Sequence, residues 1–257
     1  MRLLFRRDPY GEGFRQRRRD PAVLLSGLLR HHEVALLVLL GLLVRLYDFN
    51  APYISHHWIK QLQIAPIAKN FATKNPNILW PETDYSADRP GYIEIEFQLV
   101  TWLAALLYHV FGIHEWVGRL VTVSFSVGSM VLLYRLVLMY LGPIAAAYAL
   151  FFFAFAPSNW YFSRALMSEP AMLFFSIALV YSFSRWLESP TPARFAWTGL
   201  AGALCFLVKL PTTLVLIPLA YLAYTHFGKR VWRQHSLWLL GAIMLAPAVA
   251  YYLHARY

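Results

Sequence analysis

The segment that decides the fold is Trp116–Leu138, which reads WVGRLVTVSFSVGSMVLLYRLVL. An apolar run of this length crosses the hydrocarbon core of a bilayer as a single helix. Arg119 and Arg135 lie toward opposite ends of the run, where long basic side chains extend to the membrane surfaces. The run therefore predicts a transmembrane helix.

The composition extends this prediction to the whole chain of 257 residues. Apolar residues make up 59% and charged residues 14%, against about 45–50% and about 25% in soluble domains. This balance excludes a disordered chain. The single cysteine, Cys205, excludes an internal disulfide framework and a cysteine-rich zinc module. P-loop, Rossmann and Gly-x-Ser-x-Gly motifs are absent from the sequence. We predict an all-α integral membrane protein.

Hydropathy predicts seven transmembrane helices, with a membrane module over residues 29–257. The predicted spans are Leu29–Phe49, Trp116–Leu138, Pro143–Phe162, Pro170–Trp186, Phe195–Val208, Pro211–Phe227 and Ser236–His254. Residues 1–28 form a basic arm that carries much of the net charge of +10. The positive-inside rule makes this arm an uncleaved cytoplasmic anchor in a cytoplasmic (inner) membrane protein. Nucleic-acid binding is the alternative for such an arm, and we predict no nucleic-acid partner.

The longest polar stretch, Tyr47 to Glu96, lies in a predicted outer loop over residues 47–115. Ile59–Phe71 reads as a short surface helix broken by Pro66. The apolar run Phe97–Gly112 fits either a short span or a helix in the membrane interface. If it does not cross, the basic internal loops, including Gly228–Arg233, fall on the same side as the N-terminal arm. We therefore predict a re-entrant or juxtamembrane helix.

Four cations are predicted near the outer ends of spans: Arg45, Arg119, Arg164 and Lys209. Each alone is explained by a side chain that extends to the interface. As a group on the outer face, they oppose the positive-inside bias. An anionic ligand on that face would explain all four, and arginine suits phosphate because its planar fork binds two oxygens.

Acidic and histidine residues supply the other candidates. Glu169 precedes Pro170 and either complements a helix N-terminus or binds a metal or a sugar. Glu96 opens the Phe97 helix, as a cap or as a ligand. Asp84 and His57 are candidate general bases in the outer loop. Adjacent His56 and His57 cannot share one helix face, so a two-histidine zinc site is disfavoured.

The order of these features resembles the N-terminal membrane module of the GT-C glycosyltransferases. The resemblance lies within the family 39 group, which includes protein O-mannosyltransferases and lipid A aminoarabinose transferases, and it covers roughly residues 42–211. It rests on five features in order: Arg45-Leu46; HWIKQLQIAPIAKNF at 57–71; Glu96-Phe97 through Phe111-Gly112 to Gly118-Arg119-Leu120; Arg164 to Pro170; and LVKLP at 207–211.

The resemblance implies a fold and an activity. The fold is a set of about seven spans with a juxtamembrane helix in the first outer loop. The activity is transfer of a sugar from a polyprenyl-phosphate donor to a lipid, glycan or protein acceptor on the outer face. On this basis Arg119 and Lys209, with Arg164, are predicted to bind the leaving phosphate. Glu169 is predicted to orient the sugar or a divalent metal, which is the one candidate cofactor. The remaining predicted substrate-binding residues are Arg45, Lys60, Gln61, Gln63 and Glu96.

The sequence departs from the family pattern at its first outer-loop motif. The family has an aspartate there, and Gln63 or a neighbour occupies that position here. Because glutamine cannot act as a base, the role passes to Asp84, His57 or another loop residue, or the subgroup works differently. Family members also continue beyond the seventh span, so we expect a fragment or a truncated reading frame. A transporter or lipid-linked flippase and an inactive scaffold are the rival hypotheses.

Overall fold

The computed structural model describes residues 21–53, 58–84, 91–92 and 96–255. Within these residues the chain is almost entirely helical. The helices are α1 Pro21–Arg45, α2 Trp58–Thr73, α3 Leu99–Phe111, α4 Glu115–Leu141, α5 Pro143–Phe155, α6 Pro157–Phe162, α7 Glu169–Glu188, α8 Pro192–Val208, α9 Leu216–Phe227 and α10 His235–His254. Two 3-10 helices cover Leu210–Val215 and Gly228–Arg233. Strands β1 (Glu82–Thr83) and β2 (Gly91–Tyr92) pair antiparallel.

Four helical segments are long and apolar enough to cross a membrane. They are Glu115–Leu141, Glu169–Glu188, Leu210–Arg233 and His235–His254, and each covers or closely matches a predicted span. The helices α3, α5 and α8 are apolar but shorter, and α1 begins at Pro21, before the predicted start at Leu29. The structure is thus that of an all-α, multi-pass membrane protein. The count of seven spans and the boundary of the basic arm stay predictions.

The predicted span Pro143–Phe162 consists of two helices, because the chain breaks between α5 and α6 at Pro157. Proline has no N–H, so Pro157 leaves the carbonyl of Phe153 without its helical donor. The side-chain amide of Asn159 donates to that carbonyl instead, at 2.5 Å. Breaks of this kind are tolerated at membrane depth only where side chains satisfy the freed backbone groups.

The prediction that Pro66 breaks the surface helix is wrong. Helix α2 continues through Pro66 without interruption. The carbonyl that Pro66 leaves without a donor belongs to Leu62, which is an exposed residue. At such a position solvent replaces the missing bond, so the helix persists.

Both ends of α3 lie at the same end of the bundle. Before its start, the Glu96 carbonyl accepts a hydrogen bond from Tyr251 Oη near the end of α10, at 3.2 Å. After its end, the Glu115 carbonyl accepts one from Tyr53 Oη, just beyond α1, at 2.6 Å. This is the arrangement expected of a re-entrant or juxtamembrane helix that does not cross.

The core of the bundle forms where α8 packs against both α7 and α10, with α4 against α7. Cys205 and Phe206 of α8 and Leu240 of α10 are fully buried there. Gly202 allows α8 to approach α10 closely, because a Cβ at Gly202 would overlap the side chain of Met244. Small residues at such contacts are typical of membrane helix pairs. This packing fixes where α7 begins and where α8 ends.

Candidate active site

Four charged side chains meet at one end of the bundle, and we call them the charge cluster: Lys60, Glu96, Glu169 and Lys209. The two ammonium nitrogens converge on Glu169 Oε1, at 2.9 Å from Lys60 Nζ and 2.7 Å from Lys209 Nζ. Glu96 Oε1 lies 3.5 Å from Lys60 Nζ and 3.2 Å from Lys209 Nζ. Two lysines and two carboxylates therefore alternate, and each lysine contacts both carboxylates.

Local sequence explains how Glu169 and Lys209 reach the charge cluster. Glu169 is the first residue of α7, with Pro170 in the first turn, where proline starts a helix without loss of a hydrogen bond. Lys209 lies in extended conformation between α8 and the first 3-10 helix. Thr212 fixes this turn, because its hydroxyl donates to the carbonyls of Cys205, at 2.8 Å, and Lys209, at 2.6 Å. The structure thus accounts for the predicted Leu207–Pro211 motif as a rigid turn that presents Lys209.

Two residues that sequence analysis did not single out support Glu96. The Ser168 hydroxyl donates to Glu96 Oε2, and Tyr251 Oη donates to the Glu96 carbonyl. Ser168 had a signal, since it adjoins Glu169 in the sequence. Tyr251 had none, because only the packing of α10 against the start of α3 brings it there. Glu96 is therefore held on both its side chain and its backbone.

Gln61 and Gln63, both predicted to bind substrate, point to different surroundings. Gln61 is buried, and its Oε1 accepts from the backbone N–H of Leu166 at 3.3 Å, which links α2 to the loop before α7. Gln63, at the position where the family has an aspartate, is exposed on α2. Gln61 is adjacent to Lys60 in the sequence, so its bond to Leu166 fixes the part of α2 that carries Lys60.

A cavity of about 550 Å³ opens beside the charge cluster. Its lining includes Lys60, Glu169, Ser126, Ser129, Asn159 and Ser163, with apolar side chains from α6 and α7. Glu169 Oε2 is buried and has no hydrogen-bond partner among the described residues. Pockets that combine apolar walls with a few convergent polar groups are typical of ligand sites. The free carboxylate oxygen is the polar group that a ligand hydroxyl would satisfy.

The structure places Arg119 and Arg164 outside the charge cluster. Both side chains contact the segment that follows α1. Arg119 donates to the carbonyls of Phe49, at 2.9 Å, and Pro52, at 3.3 Å, and its guanidinium lies 5.0 Å from the Tyr53 ring centroid. Arg164 donates to the Tyr47 carbonyl. Among the residues described, no carboxylate lies within salt-bridge distance of either arginine. Their contacts hold the first part of the outer loop against α4 and the loop before α7.

Arg45 lies deeper than the sequence suggested. It is fully buried, whereas the sequence left open a side chain that extends to the interface and favoured one that binds substrate. Its guanidinium donates to Ser126 Oγ, to the Gly41 carbonyl and to the Ala154 carbonyl, each at 2.9 Å. The Ala154 carbonyl belongs to the last turn of α5, where orphan carbonyls attract a cation. Arg45 therefore caps α5, next to the break at Pro157, and reaches the cavity only through Ser126.

Asp84 belongs to a separate cluster at the end of α2. Its carboxylate accepts from Asn70 Nδ2 at 3.0 Å and pairs with Lys74 Nζ at 3.2 Å. The hydrogen bond from Asn70, followed by that from Lys74, holds the pKa of Asp84 below its usual value. The structure shows no contact between Asp84 and the four residues of the charge cluster in the part of the chain it describes. His57, the other predicted base, lies outside the described residues.

The donor set does not form a metal site in the described part of the chain. No group of three or more histidine, cysteine, aspartate or glutamate residues comes together there. Both lysine ammonium groups face Glu169 Oε1, which leaves one carboxylate oxygen for a cation. We therefore derive no step through a metal.

Comparison with known proteins identifies the family. Residues 98–253 match the family model described as dolichyl-phosphate-mannose-protein mannosyltransferase. A protein of Aquifex aeolicus (strain VF5), described only as uncharacterized, is 32% identical over 118 residues, which is 46% of this chain and 27% of that protein. The chain thus spans about a quarter of the length of this relative. No solved structure matches.

The family match agrees with the resemblance at the level of the family, whereas the subgroup within it stays a prediction. The match begins beyond Lys60 and Glu96 and includes Glu169 and Lys209. It also extends past Pro211 to Leu253, one residue before the end of α10. Because the matched residues make up more than half of the chain, this protein belongs to the dolichyl-phosphate-mannose-protein mannosyltransferase family.

Proposed function

We propose that this chain is the membrane module of a glycosyltransferase that moves a sugar from a polyprenyl-phosphate donor to an acceptor on the outer face of a cytoplasmic membrane. The family supplies the coarser statement, a membrane glycosyltransferase with a lipid-linked sugar donor. The observation that supports the finer one is the charge cluster beside the 550 Å³ cavity. A lipid-linked phosphosugar carries the same combination of apolar chain, anionic phosphate and hydroxyl groups.

In this proposal Lys60 and Lys209 bind the donor phosphate. The leaving group of the transfer is an anionic phosphate, and preorganised cations stabilise the charge that develops on it. Glu96 and Glu169 hold the two ammonium groups together before the donor arrives. Without these carboxylates, two lysines that converge on one point would repel each other. This assignment moves the predicted phosphate role of Arg119 and Arg164 to Lys60, and keeps it for Lys209.

Glu169 is the residue that we propose to contact the sugar or the acceptor hydroxyl. Its Oε2 is free of protein partners among the described residues. A carboxylate in this position accepts a hydroxyl hydrogen bond and serves as a general base, a contribution of about 10²–10⁴-fold in rate. This role fills the gap left by Gln63 more directly than Asp84, which lies in the separate cluster at the end of α2, where its Oδ1 accepts from Asn70 and pairs with Lys74.

The test is transfer of radiolabelled sugar from polyprenyl-phosphate donors by membranes that contain the protein. Lys60→Met, Lys209→Met and Glu169→Gln should each lower transfer by about 100-fold or more. Lys69→Met is the matched control, because Lys69 lies exposed on the same helix as Lys60 and should leave transfer within about twofold of the wild type.

Protein amount and helical content are measured for every variant, so that lost folding is separated from lost chemistry. If Lys60→Met and Lys209→Met fold and both retain full transfer, the phosphate role is refuted. If the folded wild-type protein moves the donor across the membrane of vesicles without transfer of the sugar, the flippase hypothesis replaces the enzyme hypothesis.

A further inference from the structure

The end of the bundle opposite the charge cluster carries a second, unassigned feature. The second 3-10 helix, Gly228–Arg233, joins α9 to α10. The other end of α10 holds Tyr251, which contacts Glu96, so this turn and the charge cluster lie at opposite ends of the same helix. Lys229, Arg230 and Arg233 of the turn are exposed. Within the described residues none of the three forms a salt bridge.

An apolar groove of about 430 Å³ lies beside this basic turn. Its lining is drawn from α7, α9, the turn and α10 and includes Phe183, Leu219, Val231, Trp232, Trp238 and Met244. All its lining residues are apolar or aromatic. The walls of the groove are therefore almost entirely apolar, and Tyr224 and the two tryptophans supply its few polar atoms. Three cations without acidic partners among the described residues lie at one of its ends.

Two tryptophans mark the boundary between the apolar groove and the charged turn. Trp232 and Trp238 are 72% and 60% exposed, with ring centroids 6.2 Å apart. The Trp238 Nε1–H donates to the Trp232 carbonyl at 3.1 Å, which fixes the pair. Tryptophan prefers the level of lipid head groups, where one side of the ring is apolar and the other is wet. This places the basic turn at head-group depth and the groove below it.

We propose that this site binds an anionic glycerophospholipid of the surrounding bilayer. The phosphate contacts Lys229, Arg230 and Arg233, and one acyl chain occupies the groove below the tryptophan pair. Clusters of basic residues next to membrane helices recognise anionic lipids in this way. The occupant is a bilayer lipid rather than the sugar donor, since the proposed donor site lies at the other end of the bundle.

The test uses quenching of tryptophan fluorescence by brominated lipids in nanodiscs. Two preparations contain the same mixture of phosphatidylcholine with a minor fraction of phosphatidylglycerol. One carries bromine on the phosphatidylglycerol chains only, and the other carries an equal amount on phosphatidylcholine. We expect stronger quenching when the anionic lipid is brominated. The excess should disappear in the Trp232→Phe/Trp238→Phe variant, which removes two of the nine tryptophans.

Charge variants separate a local site from general attraction to an anionic membrane. Each basic residue near the surface raises anionic lipid binding about fivefold, so Lys229→Gln/Arg230→Gln/Arg233→Gln should lower the preference for phosphatidylglycerol by roughly 100-fold. The control Arg17→Gln/Arg18→Gln/Arg19→Gln removes the same number of positive charges from the N-terminal arm. It should keep the preference for phosphatidylglycerol.

Three results would overturn the proposal. The first is equal quenching by the two brominated lipids in the wild type, and the second is an equal loss of preference in both triple variants. The third is displacement of brominated phosphatidylglycerol by an equimolar amount of polyprenyl phosphate, which would make the occupant an isoprenoid carrier. Size-exclusion profiles and helical content show that each variant is folded. None of these readouts depends on sugar transfer, so they stand apart from the test of the proposed function.

Discussion

Lys209 Nζ lies 2.7 Å from Glu169 Oε1, although the two residues are 40 positions apart and belong to the end of one helix and the start of another. The pair is mostly buried, with side chains 18% and 26% exposed. It connects α8 to α7 at the point where the cavity opens. Ion pairing and the proposed chemistry therefore depend on the same two side chains. A variant that exchanges the two charges distinguishes the effect of pairing from the effect on transfer.

The exchange of the two charges should restore the pair without restoring transfer. Lys209→Glu and Glu169→Lys, each alone, place like charges together and should lower the free energy of unfolding by about 1–3 kcal/mol. The double variant should recover at least about half of that loss. Transfer should stay about 100-fold or more below wild type, because neither charge is in its catalytic position. Thermal unfolding in detergent and the radiolabel assay measure the two effects.

A double variant that recovers full transfer would show that only the pairing matters. The assignment of Lys209 to the phosphate would then be abandoned, whereas the position of the charge cluster at the end of the bundle would stand.

Arg45 should contribute to stability more than other arginines of the membrane helices. Arg45→Met removes three hydrogen bonds and leaves the Ala154 carbonyl at the end of α5 without its cap. We expect a loss of about 2–3 kcal/mol in the free energy of unfolding. Arg135→Met in α4 is the matched control, because Arg135 is exposed, and it should change stability by less than about 0.5 kcal/mol. Equal thermal stability of the two variants would contradict the capping role.

Gly202 should tolerate no side chain larger than hydrogen without loss of packing. A Cβ there overlaps Met244, so Gly202→Val should separate α8 from α10 and lower the free energy of unfolding by about 1–3 kcal/mol. Gly241→Val is the control within α10, since a Cβ at Gly241 meets nothing within 4 Å. Thermal unfolding of both variants in the same detergent measures the difference. A Gly202→Val protein as stable as the control would show that Met244 moves aside without loss.

The Asp84 cluster should make the outer segment sensitive to acid. The pKa of Asp84 is lowered on folding by the Asn70 and Lys74 hydrogen bonds. Its contribution to stability is therefore present above the ordinary aspartate value of 3.8 and is lost as the pH falls through the folded pKa. The pKa of Lys74 is raised by Asp84 and Glu82, so its contribution is lost only as the pH rises above the ordinary lysine range.

Amide hydrogen exchange at Thr83 and Gly91, corrected for the intrinsic effect of pH on exchange, measures this loss. Asp84→Asn keeps an acceptor for Asn70 and removes the charge. Protection of the Thr83 and Gly91 amides in this variant should therefore not change across the acid range. If the wild type and Asp84→Asn lose protection together, the titrating group lies elsewhere.

Sequence analysis identified all four members of the charge cluster and placed them on one side of the membrane, yet it did not predict the cluster itself. Glu96 and Glu169 each had a local explanation as helix caps, and a local explanation contains no information about partners up to 109 positions away. The distances follow from how α2, α7 and α8 pack. Apolar helices of similar composition allow many packings, so this information is absent from any one segment.

Arg45 shows a second limit. Its position at a helix end is compatible with a side chain that extends to water or with one that turns inward, and the sequence within α1 does not distinguish the two. The inward orientation depends on Ser126 of α4 and on the exposed end of α5. The break at Pro157 was not predicted either, because the sequence analysis gave Pro143–Phe162 as one span. Proline alone does not decide such a break, since α2 continues through Pro66 and α10 through Pro247.

The order of the charge cluster along the chain has a consequence for biosynthesis. Lys60 and Glu96 leave the ribosome first, Glu169 follows, and Lys209 comes last, after α8. Until Lys209 emerges, Lys60 is the single ammonium group that faces two carboxylates, and the nascent cluster carries a net negative charge. Completion of the cluster thus coincides with the insertion of α8 beside α7. The four side chains reach a net charge of zero only when these two helices have packed together.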